Sequence, residues 1–135
     1  MYISRTTVRV RYGETDQMGY VYYGFYAMYY EVGRVESLRQ LGVTYKEIEA
    51  MGVFMPVLEN KSTYMAPARY DELLTIVTTI KDKPSVKIKF EYEIFNEANK
   101  LINKGETLLA FVDKNTNRPC RPPHAMENVL DPFFK

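Results

Sequence analysis

One carboxylate is singled out by its neighbours. In Tyr12-Gly13-Glu14-Thr15-Asp16-Gln17-Met18-Gly19-Tyr20, Asp16 sits in a glycine-bearing loop that runs directly into an apolar helix. The first N–H groups of a helix have no intrahelical acceptor, and the helix dipole adds partial positive charge at the same end. A carboxylate facing that end is half of a hydrolytic site, because the helix supplies the other half, a dipole that polarises an electrophile. The alternative for Asp16 is a loop residue that hydrogen-bonds its own turn.

Other chemistries lack their parts. His124 and Cys120 lie four apart in Pro119-Cys120-Arg121-Pro122-Pro123-His124, with no third group and no helical register. A Cys-His nucleophile is therefore not expected there, and a Ser-His-Asp triad would have to use this sole histidine. No cluster of His or Cys has metal-ligand spacing, and no glycine-rich loop follows a strand to cradle nucleotide phosphates. Neither a metal nor a cofactor is expected.

The elements that must position Asp16 are legible from periodicity. Tyr2 to Tyr12 ends in alternating apolar and basic residues, the pattern of a half-buried strand. After the loop, Phe25, Met28, Val32, Val35 and Leu38 recur at helical spacing as far as Gly42. Tyr26, Ala27, Tyr29 and Tyr30 fill most of the other positions, which predicts a helix surrounded by protein rather than laid on a surface. Gly33 in its interior costs about 1 kcal/mol relative to Ala, a cost that close approach of another backbone would offset. A short second helix is predicted over Thr44 to Met51. From Val53 onward the period changes to two: Val53 to Tyr64, Glu72 to Lys81, Val86 to Phe95 and Glu106 to Lys114 read as strands joined by turn residues. Short links imply antiparallel neighbours, and five such strands must curl around the helix to bury it. The expected class is α+β, with residues 1–135 forming one domain.

Composition mainly excludes. The chain has 135 residues, 46% of them hydrophobic and 26% charged, enough for a real core. Its net charge of +1, from 18 basic and 17 acidic residues, gives no electrostatic case for nucleic acid or an anionic membrane, and neither is expected as a partner. A single cysteine cannot form an internal disulfide, and no apolar stretch resembles a signal region or a membrane span, so a cytoplasmic location is expected. Twelve Tyr and seven Phe, with no Trp, point either to amphipathic surfaces at a cleft or subunit interface or to tyrosines edging a small core.

Three stretches carry a resemblance that spans nearly the whole chain. They are Arg11 to Tyr23 running into Tyr29-Tyr30-Glu31-Val32-Gly33-Arg34-Val35-Glu36; Tyr64-Met65-Ala66-Pro67-Ala68-Arg69-Tyr70-Asp71-Glu72-Leu73; and Gly105 to Val112, closing with Asp113, Asn117-Arg118-Pro119 and Pro122. Together they resemble the hotdog-fold acyl-CoA thioesterases of the 4-hydroxybenzoyl-CoA thioesterase type. The resemblance implies a five-stranded antiparallel sheet wrapped around a long central helix, an acyl-CoA substrate, and a homodimer or homotetramer. It also implies that the backbone N–H of Tyr23, seven positions after Asp16, donates to the oxyanion. Where many members of that family carry His, this chain has Tyr23, and Phe25 stands where Asn is common. A phenol, with an ordinary pKa of about 10, is a poor base at neutral pH.

Thioester chemistry suits a site with one carboxylate. The leaving thiol has a pKa near that of Cys, about 8.5, so the thiolate departs without obligatory protonation. What remains necessary is oxyanion stabilisation, which fixed backbone N–H groups provide. Asp16 then either attacks the carbonyl to give a mixed anhydride or activates water as a general base.

The remaining candidates each have a structural alternative. Tyr22, Tyr26, Tyr30 and Phe54 are expected to line an apolar, aromatic acyl pocket. Glu31 on the helix either contacts substrate or pairs with Arg34 or another Arg or Tyr. Glu59 either faces the pocket and orients water or is an ordinary solvent-facing strand residue. Arg69, Lys83 and Lys87, near strand ends, are candidates for the CoA phosphates, against chance placement among 18 basic residues.

Three competing readings use the same fold. An acyl carrier protein thioesterase would differ only in the carrier. A hydratase or dehydratase would need a catalytic His in the site, which His124 in the tail does not provide. A non-catalytic acyl-thioester binder or scaffold would keep the pocket without Asp16's reactivity.

Overall fold

Antiparallel hydrogen-bonded pairing between five strands produces one sheet. In the computed structural model, which describes residues 1–135, five strands are β1 (Tyr2–Arg9), β3 (Val57–Tyr64), β4 (Leu73–Ile80), β5 (Lys87–Phe95) and β6 (Leu101–Ala110). They are all antiparallel and lie in the order β1-β4-β5-β6-β3. The inner face carries Leu74, Ile76, Ile80, Ile88, Phe90 and Ile94, all fully buried. Each such side chain contributes roughly 1.5–3 kcal/mol of burial free energy. The outer face is charged, with Lys89 bonded to Glu106 at 2.6 Å and Lys81 to Glu91 at 3.7 Å.

A long helix, α1 (Tyr26–Leu41), lies against the inner face and ends at Gly42, whose φ of 97° is the left-handed conformation of a helix stop. This is the hotdog arrangement. Its buried stripe is Tyr26, Tyr29, Tyr30, Gly33, Arg34, Ser37 and Leu38. Of the stripe predicted from Phe25, Met28, Val32, Val35 and Leu38, only Leu38 is buried, and Met28 is 53% exposed. Ala27, Met28 and Glu31 face outward, so the helix is covered on one side rather than surrounded. At Gly33 the close approach is by side chains of β4 rather than by another backbone: a Cβ there would sit 2.5 Å from Thr78 Oγ1 and 3.0 Å from Ile76 Cγ2.

The smaller elements adjust the predicted boundaries. The segment from Val53 splits into β2 (Val53–Phe54) and β3, with β2 pairing to β7 (Val112–Asp113) as a separate ribbon. The last long strand, β6, begins at Leu101 rather than Glu106. Helix α2 (Tyr45–Ala50) starts where Thr44 accepts a hydrogen bond from the Glu47 N–H at 3.2 Å, an N-cap. Beyond the Pro-rich stretch the chain forms α3 (His124–Leu130), which the sequence reading leaves as an irregular tail; it buries Met126 and Leu130.

Register defines two ends of the sheet. Arg9 opposes Leu73, Phe95 opposes Leu101 and Tyr64 opposes Asn103 at one end; Tyr2 opposes Ile80, Lys87 opposes Ala110 and Val57 opposes Leu109 at the other. The loop bearing Asp16 follows Arg9, so it belongs to the first end.

Candidate active site

The loop is a closed hairpin. Tyr22 N–H donates to the Glu14 carbonyl at 2.9 Å, Thr15 bridges Val21, and Asp16 N–H donates to the Tyr20 carbonyl at 2.8 Å. Gly19, at φ 80°, makes the turn. Asp16 Oδ1 accepts from the N–H groups of Met18 at 2.9 Å and Tyr20 at 3.2 Å, the turn contact foreseen as its structural role. Its Oδ2 makes no hydrogen bond, so one oxygen anchors the carboxylate and the other is available for chemistry.

The hairpin leads into a 3-10 turn, Tyr23–Phe25, that opens α1. Tyr22 N–H is used by Glu14 and Phe25 N–H by the Tyr22 carbonyl at 2.9 Å, whereas Tyr23 and Gly24 N–H have no acceptor in the chain. Two orphan donors at a helix start are able to bind an anion, and Tyr23 is the position at which the family resemblance implies such a donor. Gly24 has little space for a side chain: a Cβ would sit 2.9 Å from the Tyr22 ring.

Aromatic side chains close around this point. The Tyr22 and Tyr23 ring centroids lie 4.6 Å apart, Tyr64 packs against Tyr26 at 5.4 Å, and the Tyr64 hydroxyl donates to the Tyr23 carbonyl at 3.3 Å. Burial pushes the Tyr26 phenol up to about 12, so it is neutral at ordinary pH. Tyr30, one turn further along α1, is fully buried and packed within the fold.

Glu14 is a buried carboxylate beside the site that the sequence reading did not single out. It is 7% exposed, and its Oε1 accepts from the Arg11 N–H at 2.8 Å and the Tyr29 hydroxyl at 2.9 Å, while Oε2 accepts from Arg11 Nε at 3.0 Å. Burial opposes its ionisation, but the Arg11 and Tyr29 donors outweigh it and hold the carboxyl below the usual range. Tyr29 is pushed up by burial and by the carboxylate it serves. The available signal was a Glu two residues from Asp16 in a loop preceding a Tyr-rich helix.

The second stretch of the resemblance packs on the first. Val21 N–H donates to the Ala68 carbonyl at 2.8 Å, Arg69 bridges Tyr20, and the Arg69 guanidinium lies 4.8 Å from the centre of the Tyr20 ring. Arg69 is thereby brought to the hairpin. Lys83 and Lys87 are not: they lie at the opposite end of the sheet within the chain, roughly 23 Å along β4 at the usual rise per residue. Lys83 there pairs with Asp131 at 2.9 Å.

Neither of the two other candidate carboxylates is hydrogen-bonded to the Asp16 loop. Glu31 is exposed on the rim of a cleft of about 280 Å³ between β1 and α1, which Arg11, Phe25 and Met28 also line. It forms no pair with Arg34, which is buried and bonds instead to the hydroxyls of Tyr45, Tyr92 and Thr107. Glu59 is exposed on β3, beside a bulge after Val57. Phe54 lies at the far end of the sheet, 42% exposed, with Lys114 Nζ 5.5 Å from its ring centre. A larger cleft, about 430 Å³, lies on the charged outer face of the sheet and is lined by Lys61, Lys81, Glu91 and Glu93, remote from the hairpin.

No group of His, Cys, Asp and Glu is clustered to hold a metal ion, and no helix is long and apolar enough to cross a membrane. Residues 10–130 match the Thioesterase-like superfamily. The chain belongs to that superfamily. It is 37% identical over 121 residues to the putative acyl-CoA thioesterase YneP of Bacillus subtilis, covering 90% of this chain and 88% of the relative. It is 34% identical over 122 residues to the acyl-CoA thioester hydrolase YbgC of Escherichia coli, covering 90% and 91%. Among solved structures, a DHNA-CoA thioesterase from Staphylococcus aureus superposes with a TM-score of 0.85 at 33% identity, covering 99% of this chain and 85% of that one. The matched span of this superfamily member contains the Asp16 hairpin, the Tyr23–Phe25 turn and Arg69.

Proposed function

We propose that the protein hydrolyses an acyl-CoA thioester to the free acid and CoA, with Asp16 as the reactive carboxylate and the Tyr23 and Gly24 N–H groups as oxyanion donors. The observation that carries this reading is the uncommitted Asp16 Oδ2 on the same hairpin that delivers two acceptor-free N–H groups to the start of α1. In the nucleophilic route, Oδ2 bonds to the carbonyl carbon, the C–S bond breaks to release thiolate, and water then cleaves the mixed anhydride and restores Asp16. In the general-base route, Oδ2 takes a proton from the water that attacks the same carbon. The arrangement is of the 4-hydroxybenzoyl-CoA thioesterase type, with residues 1–135 acting as one unit. A lone cysteine is consistent with a reducing, cytoplasmic compartment.

Arg69, beside the Tyr20 ring, is the cation we assign to a CoA phosphate. A dimer through β3 completes the site. Seven of the eight β3 residues are exposed, including Val57, Leu58 and Tyr64, and its edge is unpaired. Antiparallel pairing of two β3 edges brings the Val57 end of one copy beside the Tyr64 end of the other. Phe54 and Glu59 of each copy then approach the hairpin of its mate, where the sequence expected them to serve.

Thiol release from a panel of acyl-CoAs, compared between the wild type and Asp16→Asn, tests the reaction. Turnover unaffected by the substitution removes Asp16 from the mechanism, and tight binding without turnover for any substrate makes the protein a binder. Single turnover in heavy-oxygen water identifies the nucleophilic route when label enters Asp16, as it does when water attacks the Asp16 carbonyl of the anhydride. Sedimentation at working concentration tests the assembly, with a 15.8 kDa particle overturning the dimer.

A further inference from the structure

The Tyr23 carbonyl and the Gly24 N–H belong to one peptide unit. That unit is planar and trans, so fixing the direction of its carbonyl fixes the opposite direction of its N–H. The N–H is one of the two acceptor-free donors at the start of α1, whereas the carbonyl has two partners. The Tyr26 N–H donates to it within the 3-10 turn. The Tyr64 hydroxyl donates to it from β3, 41 residues away in sequence, at 3.3 Å. A carbonyl oxygen has two lone pairs, so both bonds are held at once.

We propose that Tyr64 is a positioning residue for the reaction: its hydroxyl, bonded to the Tyr23 carbonyl, aims the Gly24 N–H at the oxyanion and strengthens it as a donor. The inference rests on the thioester-hydrolase reading and adds to it a residue of β3 that acts through the backbone.

Two physical effects follow from that one bond. The first is orientation. A 3-10 bond has poorer geometry than an α-helical one, so a peptide held by the Tyr26 N–H alone tilts over a wider range, and a second donor from a different element narrows it. An oxyanion donor is effective because it needs no reorganisation at the moment of reaction, which makes a narrow range valuable. The second effect is polarisation. Linked hydrogen bonds strengthen one another, so a carbonyl that accepts from a phenol leaves the N–H of its own peptide a better donor.

The phenol is itself fixed. Tyr64 ends β3 opposite Asn103, and the chain beyond it stays bonded to β6, where the N–H groups of Met65 and Ala66 both donate to the Ile102 carbonyl at 3.0 and 3.2 Å. Its ring packs edge-on against Tyr26 at 5.4 Å and Tyr23 at 6.5 Å. The sheet thus carries the hydroxyl to the helix start. With 51% of the residue exposed, water can satisfy the Tyr23 carbonyl once the hydroxyl is gone, but a mobile water does not hold its direction. Loss of catalysis can therefore be read apart from loss of fold.

Tyr64→Phe keeps the ring and removes only the donor. In thiol release from the acyl-CoA that the wild type cleaves fastest, kcat should fall by about three- to tenfold, the scale of one hydrogen bond's net contribution, with KM and Tm unchanged. The thioester carbonyl stretch of the same acyl-CoA, bound to Asp16→Asn so that cleavage is slow, supplies a readout that ring packing alone does not move. Donors to the carbonyl lower its frequency, and adding Tyr64→Phe should raise it. A kcat loss smaller than threefold, a loss carried by KM, or a carbonyl band that stays in place when the hydroxyl is removed overturns the proposal. Release of thiol from no acyl-CoA by the wild type removes the hydrolytic reading and this inference with it, whereas turnover that Tyr64→Phe matches removes the inference alone.

Discussion

The Tyr29 hydroxyl donates to Glu14 Oε1 at 2.9 Å, joining α1 to the base of the hairpin that carries Asp16. The Glu14 carbonyl receives the Tyr22 N–H on the same hairpin, so this one residue ties the carboxylate loop to the helix whose start supplies the donors. Tyr29→Phe removes a hydrogen bond to a buried carboxylate, and chemical denaturation should register a loss of about 1.5–3 kcal/mol. Glu14→Gln should lower kcat by about 10–100-fold with little change in KM, since displacing the hairpin misaligns nucleophile and donors. A fall in KM-dependent binding with kcat intact would argue against this positioning role.

Asp16→Asn keeps the amide oxygen that can accept from Met18 and Tyr20, so the turn should survive. Thiol release should nevertheless fall by about 10²–10⁴-fold, because the second oxygen is replaced by an amide nitrogen. Tyr23→Phe and Tyr23→Ala, which leave the backbone donor, should cost far less. Equal losses at both positions would refute the backbone role of Tyr23.

Gly105→Ala forces a methyl group into the Tyr30 ring. With Tyr30 stacked on Tyr92 and tethered at its hydroxyl, the strain has no easy outlet, and stability should fall by about 1–3 kcal/mol or more. A calorimetric melt like that of the wild type would show that the ring relaxes freely, contrary to the restraints described.

Alkaline and acid limits have different origins. Burial pushes the Tyr26, Tyr30 and Tyr92 phenols up to about 12. A raised pKa in the folded state means that their contribution is complete below the unfolded value of about 10 and is lost as pH rises toward 12. Glu14 is depressed, so its contribution is present above the unfolded value of about 4.3 and is lost as pH falls through its lower folded value. Urea midpoints across pH should show both losses. Glu14→Gln should flatten the acid limb alone, and a limb unchanged by that substitution would assign acid sensitivity elsewhere.

Much of this was written locally. Asp16 in a glycine-bearing loop, the helix start seven residues on, the Gly42 stop and the period-two segments Glu72 to Lys81 and Val86 to Phe95 all depend on contacts between near neighbours, which sequence spacing records. The position of β6 was less legible because Asn103, Gly105 and Thr107 face inward as polar or absent side chains, interrupting the apolar alternation that marks a strand.

The face that α1 buries was decided only in three dimensions. Spacing favoured Phe25, Met28, Val32, Val35 and Leu38, yet apart from Leu38 the sheet took the tyrosine row, because its hydroxyls find partners at Ser62, Asn103 and Glu14, and Gly33 admits Ile76 and Thr78. A phenol is costly to bury until its hydrogen bond is supplied, and residues 32 and 73 positions away in sequence supply those of Tyr30. The same folding separated the cations, laying Arg69 on Tyr20 at the hairpin while leaving Lys83 and Lys87 at the other end of the sheet. The sequence by itself determined which groups could do the chemistry; strand register and buried hydrogen bonding decided which of them meet.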